Sequence, residues 1–416
     1  MREQRAYRTF FFIPALARGG TRRETPVTKS ITLKKNEDRR ILSGHLWVFS
    51  NEIAKIEGEP AAGDIVTLRN HGGAPMGKGF YHPGSLIAFR LLTREDEEID
   101  FQYFQKRIDR AIALRTLLYP QAKAYRLVYG ESDFLPGLII DKYHHYLSVQ
   151  TFSFGMDKRL TLICDVLDAL LKPKGIVERN ESQIRVLEGL ELKKGIVRGT
   201  VDPVTIEENG ISYEIDILEG QKTGFFLDQR ENRLALRRYS KGANVLDCFS
   251  NDGGFALNAA HAGAKHVTAV DVSETAVKRA SANAALNDLS KSVTCVAADA
   301  FEYLKGAVAA KKQFDVINLD PPSFAKSRKM VSTAKKGYKD LHALAFGLMP
   351  KGGILTTSSC SYHIEEPTFL EIVHQSAQAS GKTVRLLEWR GASPDHPVLP
   401  AMPETRYLKF GVFRVE

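Results

Sequence analysis

The feature that most constrains this chain is a regular alternation from about residue 206 onward. Strand-like apolar runs at 244–249, 266–271, 293–297, 314–319 and 353–358 are separated by stretches of helical period at about 253–263, 274–287, 300–311 and 334–349. Strand and helix alternating at this spacing specify an α/β fold with a parallel, doubly wound sheet. A sheet of that kind binds its ligand at the carboxyl ends of its strands. The residues that close each strand are therefore the places to look for chemistry.

Upstream the periods differ. Residues 30–98 carry short strand-like runs at 31–33, 47–49, 64–68 and 86–90, set apart by Gly-rich turns at His71-Gly72-Gly73 and Gly77-Lys78-Gly79. Short strands over so few residues predict a small β-barrel. Phe101, Phe104, Ile108, Ile112 and Leu117 or Leu118 then recur at helical spacing among charged residues, which predicts an amphipathic helix over 100–119. A hairpin-like pair follows, with a turn at Gly130-Glu131-Ser132-Asp133, then a helix over about 157–171 and strands at 176–178 and 196–198. These make an α+β middle domain over 99–205, ahead of the alternating domain at 206–416. Residues 1–29, with seven Lys/Arg against two acids, read as a disordered basic leader.

Composition fits several packed domains: 416 residues, 43% hydrophobic and 26% charged. It excludes collagen-like, disulfide-scaffold and mostly disordered chains. No run of 18 apolar residues exists, so no membrane span is expected. The net charge of +9 is concentrated in the leader, so any case for a polyanion partner rests on local clusters. The four cysteines (Cys164, Cys248, Cys295 and Cys360) are sparse and show no metal-ligand spacing, which points to a reduced, cytoplasmic protein without a metal site. Cys164 and Cys295 read as small buried hydrophobes.

The first strand of the alternating domain runs into Asp247-Cys248-Phe249-Ser250-Asn251-Asp252-Gly253-Gly254-Phe255. This turn lacks the GxGxxG spacing that seats a dinucleotide pyrophosphate on a helix N-terminus. Asp247 and Asp252 would repel a pyrophosphate. They suit a ligand with ammonium and sulfonium groups and no phosphate, which describes S-adenosylmethionine. Asp271, followed by Val272, closes the second strand, where an acid accepts from ribose hydroxyls. Asp299-Ala300 follows the third strand, and Asp299 is placed for an adenine amino group. One such acid is usually a helix cap. Three at successive strand ends favour a ligand.

The fourth strand ends Asp320-Pro321-Pro322-Ser323-Phe324. The two prolines remove amide donors and stiffen a ledge that turns Asp320 to the cleft. The next strand ends Ser359-Cys360-Ser361, a thiol at the mouth of the same cleft. Cytosine C5 is a poor nucleophile until a thiolate adds at C6, after which C5 can attack a sulfonium methyl and then lose its proton to a base. Asp320 is the candidate for stabilising that adduct at N3 and the exocyclic amine, and for the base. Nitrogen or oxygen methylation needs no such thiol. Cys360 and Asp320 are accordingly the expected catalytic residues.

These motifs resemble the bacterial large-subunit ribosomal RNA cytosine-C5 methyltransferases with an N-terminal PUA domain. The likeness covers nearly the whole chain from residue 31. It is carried by Gly44-His45-Leu46-Trp47-Val48-Phe49-Ser50-Asn51, Gly130–Leu138, Thr223–Arg230, Asn251–Phe255, Asp320–Phe324, Gly337-Tyr338-Lys339-Asp340, Ser359-Cys360-Ser361 and Asp395-His396-Pro397-Val398. The resemblance implies a PUA barrel, a small α+β domain and a class I, Rossmann-like methyltransferase domain. It implies S-adenosylmethionine as donor, a cytosine of 23S rRNA as substrate, and a homodimer. It also implies that Phe226, Asp228, Gln229 and Arg230 lie over the cofactor, beside Asp247, Ser250, Asn251, Gly253, Gly254, Phe255, Asp271, Val272, Asp299, Ala300, Asp320 and Pro321. Many RNA cytosine-C5 methyltransferases carry a second Cys after the Pro-Pro; here Ser323 and Phe324 stand there, as in the family named. Residues 1–29 do not align with it.

Lys326, Arg328, Lys329, Lys335, Lys336 and Lys339 follow the ledge, with Tyr338 among them, and read as RNA phosphate contacts. Arg39, Arg40, His45 and Trp47 are the barrel's candidates, Trp47 being equally a core residue. Three other readings stay open: a purine-nitrogen rRNA methyltransferase, a uridine-C5 methyltransferase using the same thiol chemistry, and a non-catalytic RNA-binding assembly factor.

Overall fold

The computed structural model describes residues 29–220, 223–325 and 327–416. All but the last residue of the expected leader, and Lys326, lie outside the described residues.

The N-terminal unit comprises β1 (Ser30–Leu33), α1 (Arg39–Leu42), β2 (Trp47–Phe49), β3 (Ile53–Glu57), β4 (Ile65–Arg69), β5 (Pro75–Tyr81) and β6 (Ile87–Thr93), with sheet order β2-β6-β5-β4-β1-β3. Ile31, Leu33, Val48, Leu68 and Phe89 fill its core. The glycines of Gly77-Lys78-Gly79, expected to form a turn, lie inside β5. A Cβ on Gly77 would come 2.3 Å from the Thr93 carbonyl oxygen, and one on Gly79 2.1 Å from that of Arg90. They mark close approach of the neighbouring strand, not a reversal.

The middle unit comprises α2 (Phe101–Leu118), β7 (Ala124–Tyr129), β8 (Leu138–Tyr143), β9 (Tyr146–Thr151), α3 (Phe154–Asp157), α4 (Leu160–Leu171), β10 (Gly175–Asn180) and β11 (Lys193–Gly199), with sheet order β11-β10-β9-β8-β7. Asp100 caps α2 by accepting from the Tyr103 amide at 3.0 Å. Phe104 and Ile108 of α2 and Ile163 and Val166 of α4 pack with Leu127, Ile140 and Val149 of the sheet.

A hairpin, β12 (Val204–Glu208) and β13 (Ile211–Ile215), leads into α5 (Arg230–Ser240), β14 (Asn244–Cys248), α6 (Gly254–His261), β15 (His266–Asp271), α7 (Glu274–Leu286), β16 (Val293–Ala297), α8 (Ala300–Ala309), β17 (Val316–Leu319), α9 (Val331–Gly347), β18 (Ile354–Ser359), α10 (Glu366–Ala379), β19 (Val384–Arg390) and β20 (Lys409–Val415). The sheet order is β16-β15-β14-β17-β18-β20-β19. The pairings from β16 to β18 are parallel, as the alternation predicts. The sheet as a whole is mixed, because β20 returns antiparallel beside β18 and pairs antiparallel with β19. The order reverses at β14, and the site lies at the carboxyl ends there.

Polar locks join the units. Trp47 Nε1 donates to Glu131 at 2.9 Å, and Arg90 reaches Glu188 at 2.9 Å, tying the barrel to the middle unit. Arg115, wholly buried, forms a bidentate pair with Asp133 at 2.5 and 2.8 Å and donates to the Asp395 carbonyl at 2.8 Å. The Asp395 carboxylate accepts from the Arg126 amide at 2.9 Å. Such fully satisfied buried groups fix the relative placement of the elements they join. Among the described residues no helix is long and apolar enough to cross a membrane.

Candidate active site

A cavity of about 430 Å³ opens at the ends of β14, β15, β17 and β18. Its walls include Phe226, Asp228, Gln229, Ser250, Asn251, Gly254, Phe255, Asp271, Val272, Asp320, Pro321 and Cys360.

The loop after β14 takes this shape because Phe249, Asn251 and Gly253 have φ of 65°, 46° and 85°. It is pinned to β15: the Ser250 amide donates to the Val270 carbonyl at 3.0 Å, and the Asn251 amide to Asp271 Oδ2 at 2.9 Å. The other Asp271 oxygen accepts from the Ser273 amide at 2.9 Å. Gly254 leaves room for Arg233: a Cβ there would lie 2.6 Å from Arg233 Nε and would push the guanidinium aside. Ser250 Oγ and Asn251 Oδ1 are buried and have no hydrogen-bond partner among the described residues. Buried polar atoms of this kind call for a ligand or water. Polar atoms beside the apolar faces of Phe226, Phe249, Val272 and Pro321, with four aspartates, fit a nucleoside carrying a cationic tail.

The segment before α5 closes one side. Gln229 Nε2 donates to Asp320 Oδ1 at 3.0 Å and to Ser358 Oγ at 3.3 Å, and its Oε1 accepts from Asn232 at 2.6 Å. Asp228 accepts from the Tyr407 hydroxyl, and its carbonyl accepts from the Ser393 amide at 2.8 Å. The Cys360 loop is propped from below: the buried Tyr338 hydroxyl donates to Ser359 Oγ at 3.0 Å, and Ser361 Oγ lies 3.0 Å from Ser323 Oγ on the proline ledge. Tyr338, read among the RNA-facing residues, is thus an internal support.

Five expected cofactor residues do not line the cavity. Asp247 is wholly buried beneath it, accepting from the Ala256 amide at 2.9 Å and from Asn318 at 2.8 Å; burial raises its carboxyl to about 7. It ties the start of α6 to β17. Gly253 gives α6 its left-handed start. Asp299 is exposed and caps α8, accepting from the amides of Phe301 at 2.9 Å and Glu302 at 3.1 Å, while Ala300 is packed in the core. Arg230 turns away from the cavity to Glu208 at 3.2 Å, the Ala124 carbonyl and the Tyr119 ring. Arg233 takes the place expected of it. It lines the cavity, pairs with Glu208 at 2.7 Å, and donates to the Phe226 carbonyl at 2.7 Å. Gln229 and Arg233 are four residues apart, so helical spacing puts them on one face. Asp252 lines the cavity but is neutralised by Arg279 at 2.5 Å.

Of the expected RNA contacts, Arg39, Arg328, Lys329, Lys336 and Lys339 are exposed and Lys335 is half-buried. Arg40 is engaged, paired with Glu52 at 2.8 Å and stacked on Phe49. His45 is buried, and Trp47 is half-buried at the junction with the middle unit. Cys164 is a buried core residue, whereas Cys295 is only half-buried at the core's edge.

Two family models match: a PUA-like domain at residues 31–94 and an S-adenosylmethionine-dependent methyltransferase at residues 193–405. A Ribosomal RNA large subunit methyltransferase I from Aeromonas salmonicida (strain A449) is 40% identical over 390 residues, 92% of this chain and 98% of its own. That of Tolumonas auensis is 40% identical over 93% of this chain and 100% of its own, and that of Escherichia coli O157:H7 is 38% identical over 92% and 99%. Among solved structures, a Streptococcus mutans protein assigned as a SAM-dependent methyltransferase superposes with a TM-score of 0.79 at 21% identity, covering 92% of this chain and 99% of that one. SMU.776, complexed with SAH, superposes with a TM-score of 0.81 at 21% identity over the same shares. The structural likeness shares the fold, and the sequence likeness runs through every unit. The chain belongs to the ribosomal RNA large subunit methyltransferase I family and is an S-adenosylmethionine-dependent methyltransferase.

Proposed function

We propose that this protein methylates C5 of a cytosine in large-subunit ribosomal RNA through a covalent Cys360 adduct. The observation that carries this reading is the Cys360 thiol on the wall of the cavity that also presents Asp320 and Asp271.

S-adenosylmethionine, when bound, supplies an electrophilic methyl group. The Phe226–Gln229 segment, Ser250, Asn251 and Asp271 would hold it, with Arg233 fixing the Phe226 backbone. The Cys360 thiolate forms a bond to C6 of the cytosine, and the C5–C6 π pair shifts so that C5 becomes nucleophilic. Asp320 stabilises the adduct at N3 and the exocyclic amine, held in place by Gln229. With S-adenosylmethionine bound, C5 would take its methyl group as the methyl–sulfur bond breaks. A base takes the C5 proton, the C5–C6 double bond re-forms, and the C6–S bond breaks to return the thiolate. The cytosine leaves its stack to reach Cys360. Arg39, Arg328, Lys329, Lys335, Lys336 and Lys339 serve as phosphate contacts. A homodimer and a cytoplasmic location belong to the same reading.

The test is methyl transfer from labelled S-adenosylmethionine to unmodified 23S rRNA, naked and in precursor subunits, followed by nucleoside chromatography. Label in 5-methylcytidine with wild type and none with Cys360→Ala is expected. Label in a methylated purine or in 5-methyluridine would redirect the assignment to those chemistries. No transfer to either RNA form would favour a non-catalytic role.

A further inference from the structure

One buried cation in the methyltransferase domain has no part in the mechanism above. Lys409 opens β20 and stands opposite Ser359 at the last rung of the β18·β20 ladder, one residue before Cys360. It is only 7% exposed. Its Nζ donates to the Ser361 carbonyl at 2.8 Å and to the Tyr407 carbonyl at 2.9 Å. The ammonium is thus clamped to the residue that follows Cys360 and to the residue whose hydroxyl holds Asp228.

Burying an ammonium is expensive, and two neutral carbonyls compensate it only in part. An apolar side chain would fill the space at lower cost, so the charge calls for an electrostatic reason. Besides Arg406 and Glu366, the pocket that Lys409 lines also presents Arg328, His363 and Glu365. Burial lowers Lys409 to about 8, and Arg406 pushes in the same direction; Cys360 and, more weakly, Glu366 favour its charged form. Arg406 is itself occupied by Glu366 at 2.8 Å. Tyr338, raised by burial to about 12, feels both Cys360 and Asp320. Tyr338 is therefore neutral near pH 7 and Asp320 supplies no positive charge, whereas Lys409 is a cation fixed to the backbone of the Cys360 loop.

We infer that Lys409 is a positioning residue whose clamped ammonium holds Cys360 in its reactive thiolate form. The inference rests on the reading of Cys360 as the nucleophile. An ordinary cysteine is only a few per cent thiolate near pH 7, and a neighbouring lysine or arginine raises that fraction. The thiol proton leaves to solvent while the ammonium keeps its own. The alternative is a purely mechanical clamp that holds the Cys360 loop through hydrogen bonds.

Alkylation of Cys360 by iodoacetamide from pH 5 to 10, read on its peptide by mass spectrometry, separates the two roles. The variants are Lys409→Met, Lys409→Gln, which keeps donors without charge, and Lys409→Arg, which keeps the charge. The charge role predicts that Met and Gln move the alkylation midpoint up by about one pH unit and cut the rate at pH 7 about tenfold, while Arg keeps the wild-type midpoint. Should Lys409→Met not fold, Lys409→Gln gives the same readout. An unmoved midpoint in Lys409→Gln, or a midpoint in Lys409→Arg raised as far as in Lys409→Gln, overturns the inference. Alkylation does not require methyl transfer, so the two readings fail separately. If Cys360→Ala still makes 5-methylcytidine, the nucleophile assignment is lost. If Cys360→Ala is inactive and the midpoint does not move, only Lys409 is.

Discussion

Acidification should weaken the methyltransferase domain through one buried ring, His342 on α9. The side chain is fully enclosed, with its Nε2 2.8 Å from Thr357 Oγ1 on β18 and its ring between Tyr338 and Phe369 at 6.2 and 5.9 Å. Burial drives its pKa from 6.5 down to about 3, with the nearby Tyr338 backbone opposing. Between those values the unfolded chain binds a proton that the folded protein refuses. Stability is therefore fully present above pH 6.5 and falls as the pH drops towards 3. With the unfolded value of 6.5, the loss between pH 7 and pH 5 is about 2 kcal/mol, and it grows by about 1.4 kcal/mol for each further unit until the folded ring titrates. Asp247, raised by burial to about 7, acts with the opposite sign, so a single pH series is not diagnostic. The difference between wild type and His342→Gln is, because Asp247 is common to both. The chain has two tryptophans, and in a Trp47→Phe background Trp389, 6.3 Å from the Phe369 ring, reports on this region alone. Urea titrations of that pair at pH 7, 6 and 5 should show the His342 protein losing about 2 kcal/mol more than the Gln protein. Parallel pH dependences would refute the reasoning.

Three further outcomes follow from the same geometry. Glu208→Ala leaves the buried guanidiniums of Arg230 and Arg233 without their shared carboxylate, and should cost about 3–5 kcal/mol in urea denaturation, with Glu208→Gln milder. Gly79→Ala would set a Cβ against the Arg90 carbonyl and should destabilise the barrel by about 1–3 kcal/mol, read from Trp47 fluorescence in a Trp389→Phe background. Replacing Arg328, Lys329, Lys336 and Lys339 together with Ala should weaken RNA binding and flatten the plot of log K against log salt by about 3, at roughly 0.7 for each phosphate no longer neutralised on single-stranded RNA. An unchanged slope would remove those residues from the interface.

The parallel part of the sheet was legible because each strand is a short apolar run bounded by a helical period. The β20 return was not. Lys409–Val415 is buried along nearly its whole length, so it shows no alternation, and it follows a long irregular stretch after β19. The glycines of β5 misled for a related reason: close strand approach and chain reversal select the same residue. At the site, strand-end position located Asp271, Asp320 and Cys360 on the cavity wall. It did not separate them from Asp299, because an acid after a strand caps the next helix equally well. Arg230 and Arg233 both pair with Glu208, on a hairpin the strand pattern did not reveal, and differ in their other contacts: Arg230 reaches the Ala124 carbonyl and the Tyr119 ring, Arg233 the Phe226 carbonyl. Lys409 carried no motif at all. Its place beside Cys360 comes from tertiary pairing across β18 and β20.

The most direct test of the central claim is to trap the adduct. Ribosomal RNA containing 5-fluorocytidine lacks the C5 proton whose loss releases the enzyme, so addition of Cys360 and methyl transfer should leave the protein joined to the RNA. The account predicts a denaturant-stable complex that requires S-adenosylmethionine, maps to the Cys360 peptide and is absent with Cys360→Ala. Methylation of normal RNA with no trapped complex on the fluorinated RNA, or an equal complex from Cys360→Ala, would contradict it.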